Sequence, residues 1–553
     1  VNKHLIHPKY RPDIDGLRAI AILSVVVFHV FPEYLRGGFI GVDVFFVISG
    51  YLISTIIFES LDKGTFSFSE FYARRIRRIF PALISVLFAS VILGWFVLLA
   101  DEYKQLGKHI AFGSGFFSNI VLWREAGYFD NLAETKPLLH LWSLGVEEQF
   151  YAVWPLLLWL AWKSKFNLFK ITILAAILSF VLNLLGVKED AVSTFYLPQT
   201  RFWELLSGSV LSWFFLHKKY LFNQSNSNAS FPNVALNFIS FVGILLLLYG
   251  FFRINKGLSF PGKWALVPVL GSVLIIYSGQ NAWFNRVILS NKIAVWFGKV
   301  SFPLYLWHWP LLSFSRIYLG EIPAESIRIA IVIFSIFLAW LTCEFIERKF
   351  RFGNKSKEKL AILVALMAII GTVGFSIYRN DGLPTRPYNQ KLAPYKDSMK
   401  VSDKKVRCFD IPYAYKKEGN WFCGLGRKGE PVNYFAYGDS HALSLLPALE
   451  RFANDYHVGV NFTGTSGCPS LLGIQSMRGD SDLEKFNCKA LNEKVFNFVK
   501  TEGIKNVVLI SRWTYYMGSV SRPLEINLIA KDEKHPFNRE RCFVGNAKHS
   551  GSI

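Results

Sequence analysis

Arg18 and His29 are the residues best placed to do chemistry, one apolar stretch carrying both with ten residues between them. The stretch opens with Arg11-Pro-Asp-Ile-Asp-Gly-Leu-Arg18. Ionisable groups in a membrane span are costly and usually mark a working site. A neutral imidazole can take a proton from a hydroxyl and later return it. Asp13, Asp15 or Arg18 could orient that ring or bind substrate anions. A second cluster is Arg74-Arg75-Ile76-Arg77-Arg78. Guanidinium groups grip phosphates through a planar fork, so Arg74, Arg75 and Arg78 are candidates to hold a phosphate-bearing donor such as acyl-CoA. The competing reading is a topology signal or a lipid-headgroup contact.

A third cluster runs from His140 through Trp142-Ser143-Leu144-Gly145-Val146-Glu147-Glu148-Gln149-Phe150-Tyr151 into an apolar run. A carboxylate there needs a partner, and the arginines and histidine of the first clusters are candidates. Asp43, Arg201, Glu204, His308, Glu344 and Glu347 are further polar residues in or beside apolar runs. Tyr305-Leu306-Trp307-His308-Trp309-Pro310 also fits an aromatic interface belt with a helix break.

These residues must be held by membrane helices. Hydrophobic residues make up 52 % of the 553, charged residues only 18 %. That balance fits a polytopic membrane protein. A net charge of +21 could suggest nucleic acid, but the basic residues gather in short loops between apolar runs, so no nucleic-acid partner is expected. Membrane lipids are the expected surroundings. Apolar runs occur at about 15–32, 38–58, 79–100, 140–162, 168–186, 202–217, 235–252, 264–279, 301–319, 327–346 and 360–378, predicting about eleven transmembrane helices. A shorter run at 110–123 reads as re-entrant or interfacial. No cleavable signal peptide is evident, so the first run is expected to stay as an anchor.

With the N-terminus in the cytoplasm, the cytoplasmic loops hold roughly twice the Lys and Arg of the opposite loops. An odd number of spans then puts everything after about residue 379 outside the cytoplasm. Cys408, Cys423, Cys468, Cys488 and Cys542 lie on that side, which suits an oxidising compartment. Cys408–Cys423 and Cys468–Cys488 are plausible pairs, and the spacings do not resemble a zinc site. No metal is implied.

The expected organisation is a membrane domain over 1–378, a linker over 379–430 and an extracytoplasmic α/β domain over 431–553. Val432–Tyr437 reads as a strand, Gly438-Asp439-Ser440-His441 as a turn into a helix, with strands near 457–463 and 506–511 and a helix near 484–501. Such alternation argues for a parallel sheet.

The order of motifs resembles membrane acyltransferase family 3. The motifs are Arg11–Arg18 with His29, Gly41 through Tyr51, the arginine cluster, Trp142–Tyr151 and Tyr305–His308, covering about 8–352. The resemblance implies an essential role for His29 and functional roles for Arg18, Arg74, Arg75 and Arg78. It singles out Glu147, not Glu148, and implies O-acylation of extracytoplasmic carbohydrate with acetyl groups from cytoplasmic acetyl-CoA. Asp13, Asp43, His308 and Asp439 are expected in supporting positions.

Gly438-Asp439-Ser440-His441 resembles the first block of SGNH hydrolases, which would make Ser440 a nucleophile. The plainer reading is a turn with a helix N-cap. No Asn block is clear after Ser511, although Gly464 or Gly467 could supply an oxyanion donor. Asp532-Glu533-Lys534-His535 spells the closing block but sits too early, so the SGNH-like domain is expected to be incomplete. The resulting expectation is a bacterial inner-membrane O-acetyltransferase that modifies a surface or lipid-linked glycan such as lipopolysaccharide O-antigen. A transporter or flippase would call for inverted repeats, and none is visible. A membrane-anchored esterase would call for the missing block.

Overall fold

The computed structural model describes residues 10–126, 133–217, 231–255, 257–351, 356–387, 389–390, 408–427, 429–473 and 484–513. Two compact units divide the chain, Val1–Lys391 and Leu392–Ile553.

The first unit is helical. In chain order come α1 (Pro12–Val30), α2 (Gly41–Asp62), α3 (Phe68–Val97), α4 (Ala100–Ser114), α5 (Ser118–Glu125), α6 (Leu141–Lys163) and α7 (Leu168–Glu189). They are followed by α8 (Ala191–Tyr196), α9 (Phe202–His217), α10 (Phe231–Arg253), α11 (Leu266–Ser278), α12 (Lys292–Leu319), α13 (Glu325–Leu341) and α14 (Ser356–Arg379). Each of the eleven apolar runs falls on one of these helices. Among the described residues, seven helices are long and apolar enough to cross a membrane. The other four runs lie on α1, α6, α9 and α12, so length and composition support seven of the eleven expected spans. The reason is physical: α9 has only 16 residues, while α1, α6 and α12 carry the polar residues of the site. The run at 110–123 is two short helices, α4 and α5, broken at Gly115–Phe117.

Close helix packing rests on small residues. A Cβ on Gly298 of α12 would lie 2.0 Å from the Asp15 carbonyl oxygen of α1, and one on Gly50 of α2 would lie 1.8 Å from that of Leu205 on α9. Backbones that approach so closely leave room for glycine alone. Ile22, Val26 and Val30 of α1 then pack with Leu304 of α12 and Ala339 of α13. This packing brings the C-terminal half of α1 against the middle of α12.

The segment after α14 is not a bare linker at its start. Arg386 is buried, and its guanidinium donates to the carbonyls of Gly94 (3.1 Å), Trp95 (2.8 Å) and Leu98 (3.0 Å) at the end of α3. It also lies 4.1 Å over the Tyr103 ring. A cation satisfying the orphan carbonyls of a helix C-terminus is favourable. Arg386→Ala should destabilise the first unit by about 3 kcal/mol, because several charge-assisted bonds are lost and buried carbonyls are left bare. A lower thermal midpoint of the detergent-solubilised protein would register the loss; an unchanged midpoint would refute it.

The second unit is α/β. Its elements are β1 (Cys423–Leu425), β2 (Val432–Gly438), α15 (Ser440–Asp455), β3 (Gly459–Gly464), α16 (Cys488–Thr501) and β4 (Asn506–Ile510). The sheet order is β1-β3-β2-β4. β2 runs parallel to β3 and β4, as the alternation predicts. β1 is antiparallel to β3, so the sheet is mixed rather than parallel throughout. β1 is three residues long and comes from the stretch read as linker, too short to show a period. Disulfides join Cys408 to Cys423 and Cys468 to Cys488, the two expected pairs. Cys343 is a free thiol, and Cys542 lies outside the described residues.

Candidate active site

Arg18, Arg75, Arg78, Glu147 and Glu148 line one cavity in the helical unit. Ser49, Ser143, Tyr151 and Tyr305 complete its polar wall. Arg75 and Arg78 are three apart on α3 and so share a face. Arg74 is turned off that face and pairs with Glu70 at 2.9 Å, half-exposed. Two members of the arginine cluster, not three, therefore reach the cavity. Arg18 is held by Asp15 at 3.2 Å.

Glu147 accepts hydrogen bonds from the hydroxyls of Ser49 and Tyr151. The Arg75 guanidinium lies 5.5 Å over the Tyr151 ring. Glu148 also lines the cavity, and its Oε1 is buried without a hydrogen-bond partner. Adjacent residues on a helix diverge by about 100°, so two neighbouring carboxylates meet one cavity only where it wraps the helix.

His29 does not line this cavity. Arg18 and His29 share a face of α1 but stand about 16 Å apart along it. His29 Nδ1 lies 2.9 Å from His308 Nε2 on α12. His308 is buried, and its Nδ1 lies 3.0 Å from the Leu304 carbonyl oxygen. That carbonyl can only accept, so His308 Nδ1 carries the hydrogen. With both rings neutral, His308 Nε2 is then an acceptor and His29 Nδ1 the donor. The remaining ring nitrogen of His29, Nε2, holds the lone pair. The Trp309 ring packs edge-on against His29 at 4.4 Å between centroids, and its Nε1 donates to the Lys136 carbonyl at 2.8 Å. His308 thus supports His29 directly, where Asp13, Asp15 or Arg18 were the expected orienting groups.

Asp13 pairs with Arg11 at 2.6 Å, and Arg11 also donates to the Ile276 carbonyl, which ties the start of α1 to α11. Asp43 belongs to another buried cluster. Arg201 reaches Asp43 at 3.0 Å and Glu204 at 3.1 Å, and all three are at most 1 % exposed. Its guanidinium lies among the rings of Phe46, Trp142, Phe195 and Phe260. Both aspartates act as anchors between helices.

Ser143 and Tyr305 were not singled out by the sequence reading. The Tyr305 hydroxyl lies 2.6 Å from Ser143 Oγ and donates to the His140 carbonyl at 2.8 Å. Their positions inside the quoted motifs were the only signal. Among the described residues, no group of three His, Cys, Asp or Glu side chains could hold a metal ion.

A further polar knot joins α4 and α5 to the stretch before α6. Glu125 receives Lys108 Nζ at 2.8 Å, His109 Nε2 at 2.8 Å and Lys136 Nζ at 3.4 Å. Burial alone would raise the Glu125 carboxyl, but hydrogen bonds and charge from His109 and Lys108 outweigh it and hold the group well below the usual carboxylate range. A depressed carboxylate stabilises the fold above its ordinary pKa, and that gain is lost as pH falls through the folded value. Glu125→Gln should therefore lower the melting temperature at neutral pH, with the gap to the parent protein closing below about pH 4. A gap that stays constant with pH would exclude this linkage.

In the second unit, Asp439 is buried and caps α15. Its carboxylate accepts from the backbone N–H of His441 at 2.8 Å and of Arg512 at 2.9 Å, joining the helix start to the end of β4. Ser440 is the first residue of α15. No hydrogen bond of the Ser440 hydroxyl is found among the described residues. Gly464 ends β3 and Gly467 adopts φ +69° in the loop that follows. Asp532 and His535, the expected closing pair, lie outside the described residues.

A family model described as an acyltransferase domain matches residues 11–344. The chain belongs to acyltransferase family 3. A second model, an SGNH domain fused to such acyltransferase domains, matches residues 407–547. The "Peptidoglycan O-acetyltransferase OatA" of Listeria monocytogenes is 35 % identical over 356 residues, 62 % of this chain and 56 % of that protein. The "Putative peptidoglycan O-acetyltransferase YrhL" of Bacillus subtilis is 32 % identical over 360 residues, 62 % of this chain and 55 % of that protein. A Staphylococcus aureus protein, "Putative O-acetyltransferase SAS0844", is 33 % identical over 62 % of this chain and 58 % of its own length. The chain spans somewhat more than half the length of these relatives. No solved structure matches.

Proposed function

We propose that this protein is a membrane O-acetyltransferase that moves an acetyl group from a cytoplasmic CoA thioester to a hydroxyl of a cell-envelope glycan. The observation that carries the reading is the His29–His308 pair at 2.9 Å in a bundle whose cavity bears Arg18, Arg75 and Arg78. His29 Nε2 serves as the general base toward the acceptor hydroxyl. The arginines bind the phosphates of the donor, and Glu147 keeps the Ser49–Tyr151 wall of the cavity in register. The basic loops favour a cytoplasmic N-terminus and a second unit on the outer face, where the two disulfides would persist.

Relatives named for peptidoglycan make peptidoglycan, rather than lipopolysaccharide, the first acceptor to test. Ser440 is a second station that could receive the acetyl group before the glycan does. The test is the O-acetyl content of peptidoglycan in cells that lack their own O-acetyltransferase. Acetyl is expected with the intact chain and absent with His29→Ala at equal membrane abundance. Equal acetylation by both would overturn the role of His29, and acetyl lost with Ser440→Ala would assign the second station to the pathway.

A further inference from the structure

Four aromatic rings surround the His29–His308 pair. Phe28 and Trp309 contact His29, and Tyr305 and His140 contact His308. Three polar groups here are already occupied. Trp309 Nε1 is on the Lys136 carbonyl, the Tyr305 hydroxyl is on Ser143 and the His140 carbonyl, and His308 Nδ1 is on the Leu304 carbonyl. His140 differs. It is 3 % exposed, and neither of its ring nitrogens has a hydrogen-bond partner among the described residues. Its ring stands edge-on to Tyr305 at 5.4 Å and to His308 at 6.1 Å. A buried polar group without a partner is rare and calls for a ligand or a catalytic role. The His140 carbonyl is fixed by Tyr305 and Ser143, and its ring is packed against those of Tyr305 and His308.

We infer that His140 supplies the N–H that meets the acyl carbonyl oxygen during transfer at His29. The inference rests on the acetyl-transfer reading above. In the step, the acceptor oxygen attacks the thioester carbonyl carbon while its proton passes to His29 Nε2. The carbonyl electron pair moves onto oxygen, where the His140 N–H receives it. Collapse re-forms the carbonyl, breaks the carbon–sulfur bond and expels the CoA thiolate, which takes the proton from His29. The products are the acetyl ester and CoA thiol. A donor aimed at developing negative charge in a water-poor site is worth far more than in water.

The test uses membranes containing the full chain, with labelled acetyl-CoA as the probe and label in the glycan fraction as the readout. His140→Leu should lower kcat by about 10²-fold or more with KM for acetyl-CoA within about twofold. His140→Gln, whose amide keeps an N–H, should recover at least about tenfold over Leu. A Leu variant at full rate, or a loss confined to KM, would overturn the inference. So would Gln no better than Leu in equally folded protein. Should His140→Leu fail to accumulate, His140→Gln and His140→Met decide the matter, since Met is close to Gln in size and has no side-chain N–H or O–H to donate; equal rates in that pair would refute the donor role. Failure of the broader reading looks different: the unaltered chain would transfer no label, or His29→Ala would transfer as much as the unaltered chain.

Discussion

His29→Gln and His308→Gln should each lower acetyl transfer by about 10²- to 10⁴-fold, and the double variant should be no slower than the worse of the two. The reason is that the two rings act as one unit. The Leu304 carbonyl fixes the hydrogen on His308 Nδ1, His308 Nε2 fixes the hydrogen on His29 Nδ1, and His29 Nε2 keeps the lone pair that the proposed base needs. Removing His308 frees the His29 ring to turn and to hold the wrong tautomer. Loss of an orienting partner in other base-catalysed acyl transfers costs about 10⁴-fold with the geometry intact. Multiplicative losses in the double variant would show that His308 acts independently of His29 and would refute the paired arrangement. KM for acetyl-CoA should stay unchanged in all three, because the arginine-lined cavity lies elsewhere on α1.

Arg201→Met should be the most damaging structural change, costing about 3–5 kcal/mol. It would leave Asp43 and Glu204, each at most 1 % exposed, buried with no cation between α2 and α9. The four rings around the guanidinium would lose their cation as well. The expected result is loss of folded protein in detergent, measured by thermal unfolding or size-exclusion profile. Removing the carboxylates together with the cation, in Asp43→Asn, Arg201→Met, Glu204→Gln, should restore part of the stability. A single Arg201→Met variant with an unchanged melting temperature would show that the cluster contributes nothing.

Much of the candidate site was legible because ionisable residues stand out against apolar runs. His29, Arg18 and His308 stand out that way, Arg75 and Arg78 as part of an arginine cluster, and Glu147 through its motif; all lie at the cavity or at the histidine pair. Asp43 stands out by the same signal but lies in a separate buried ion cluster with Arg201, since such a cluster and a reactive site look alike in one dimension. His140 appeared only as the first letter of a motif, because nothing in a sequence reports that a ring lacks a partner. Arg386 was hidden in a stretch without periodicity, and its role depends on α3 ending beside it.

In the second unit the strand and helix pattern located β2, α15, β3, α16 and β4 to within a few residues. The antiparallel β1 escaped notice, and Asp439 was shown to be a cap bonded to two backbone amides. Hydropathy, charge and motif order belong to the chain itself, so they alone determined the family, the helical architecture and the candidate residues. Which of those residues meet was decided by helix packing. Gly298 lets the backbone of α12 approach that of α1 within contact, and along the same pair of helices His308 meets His29 while Arg18 lies at the cavity instead.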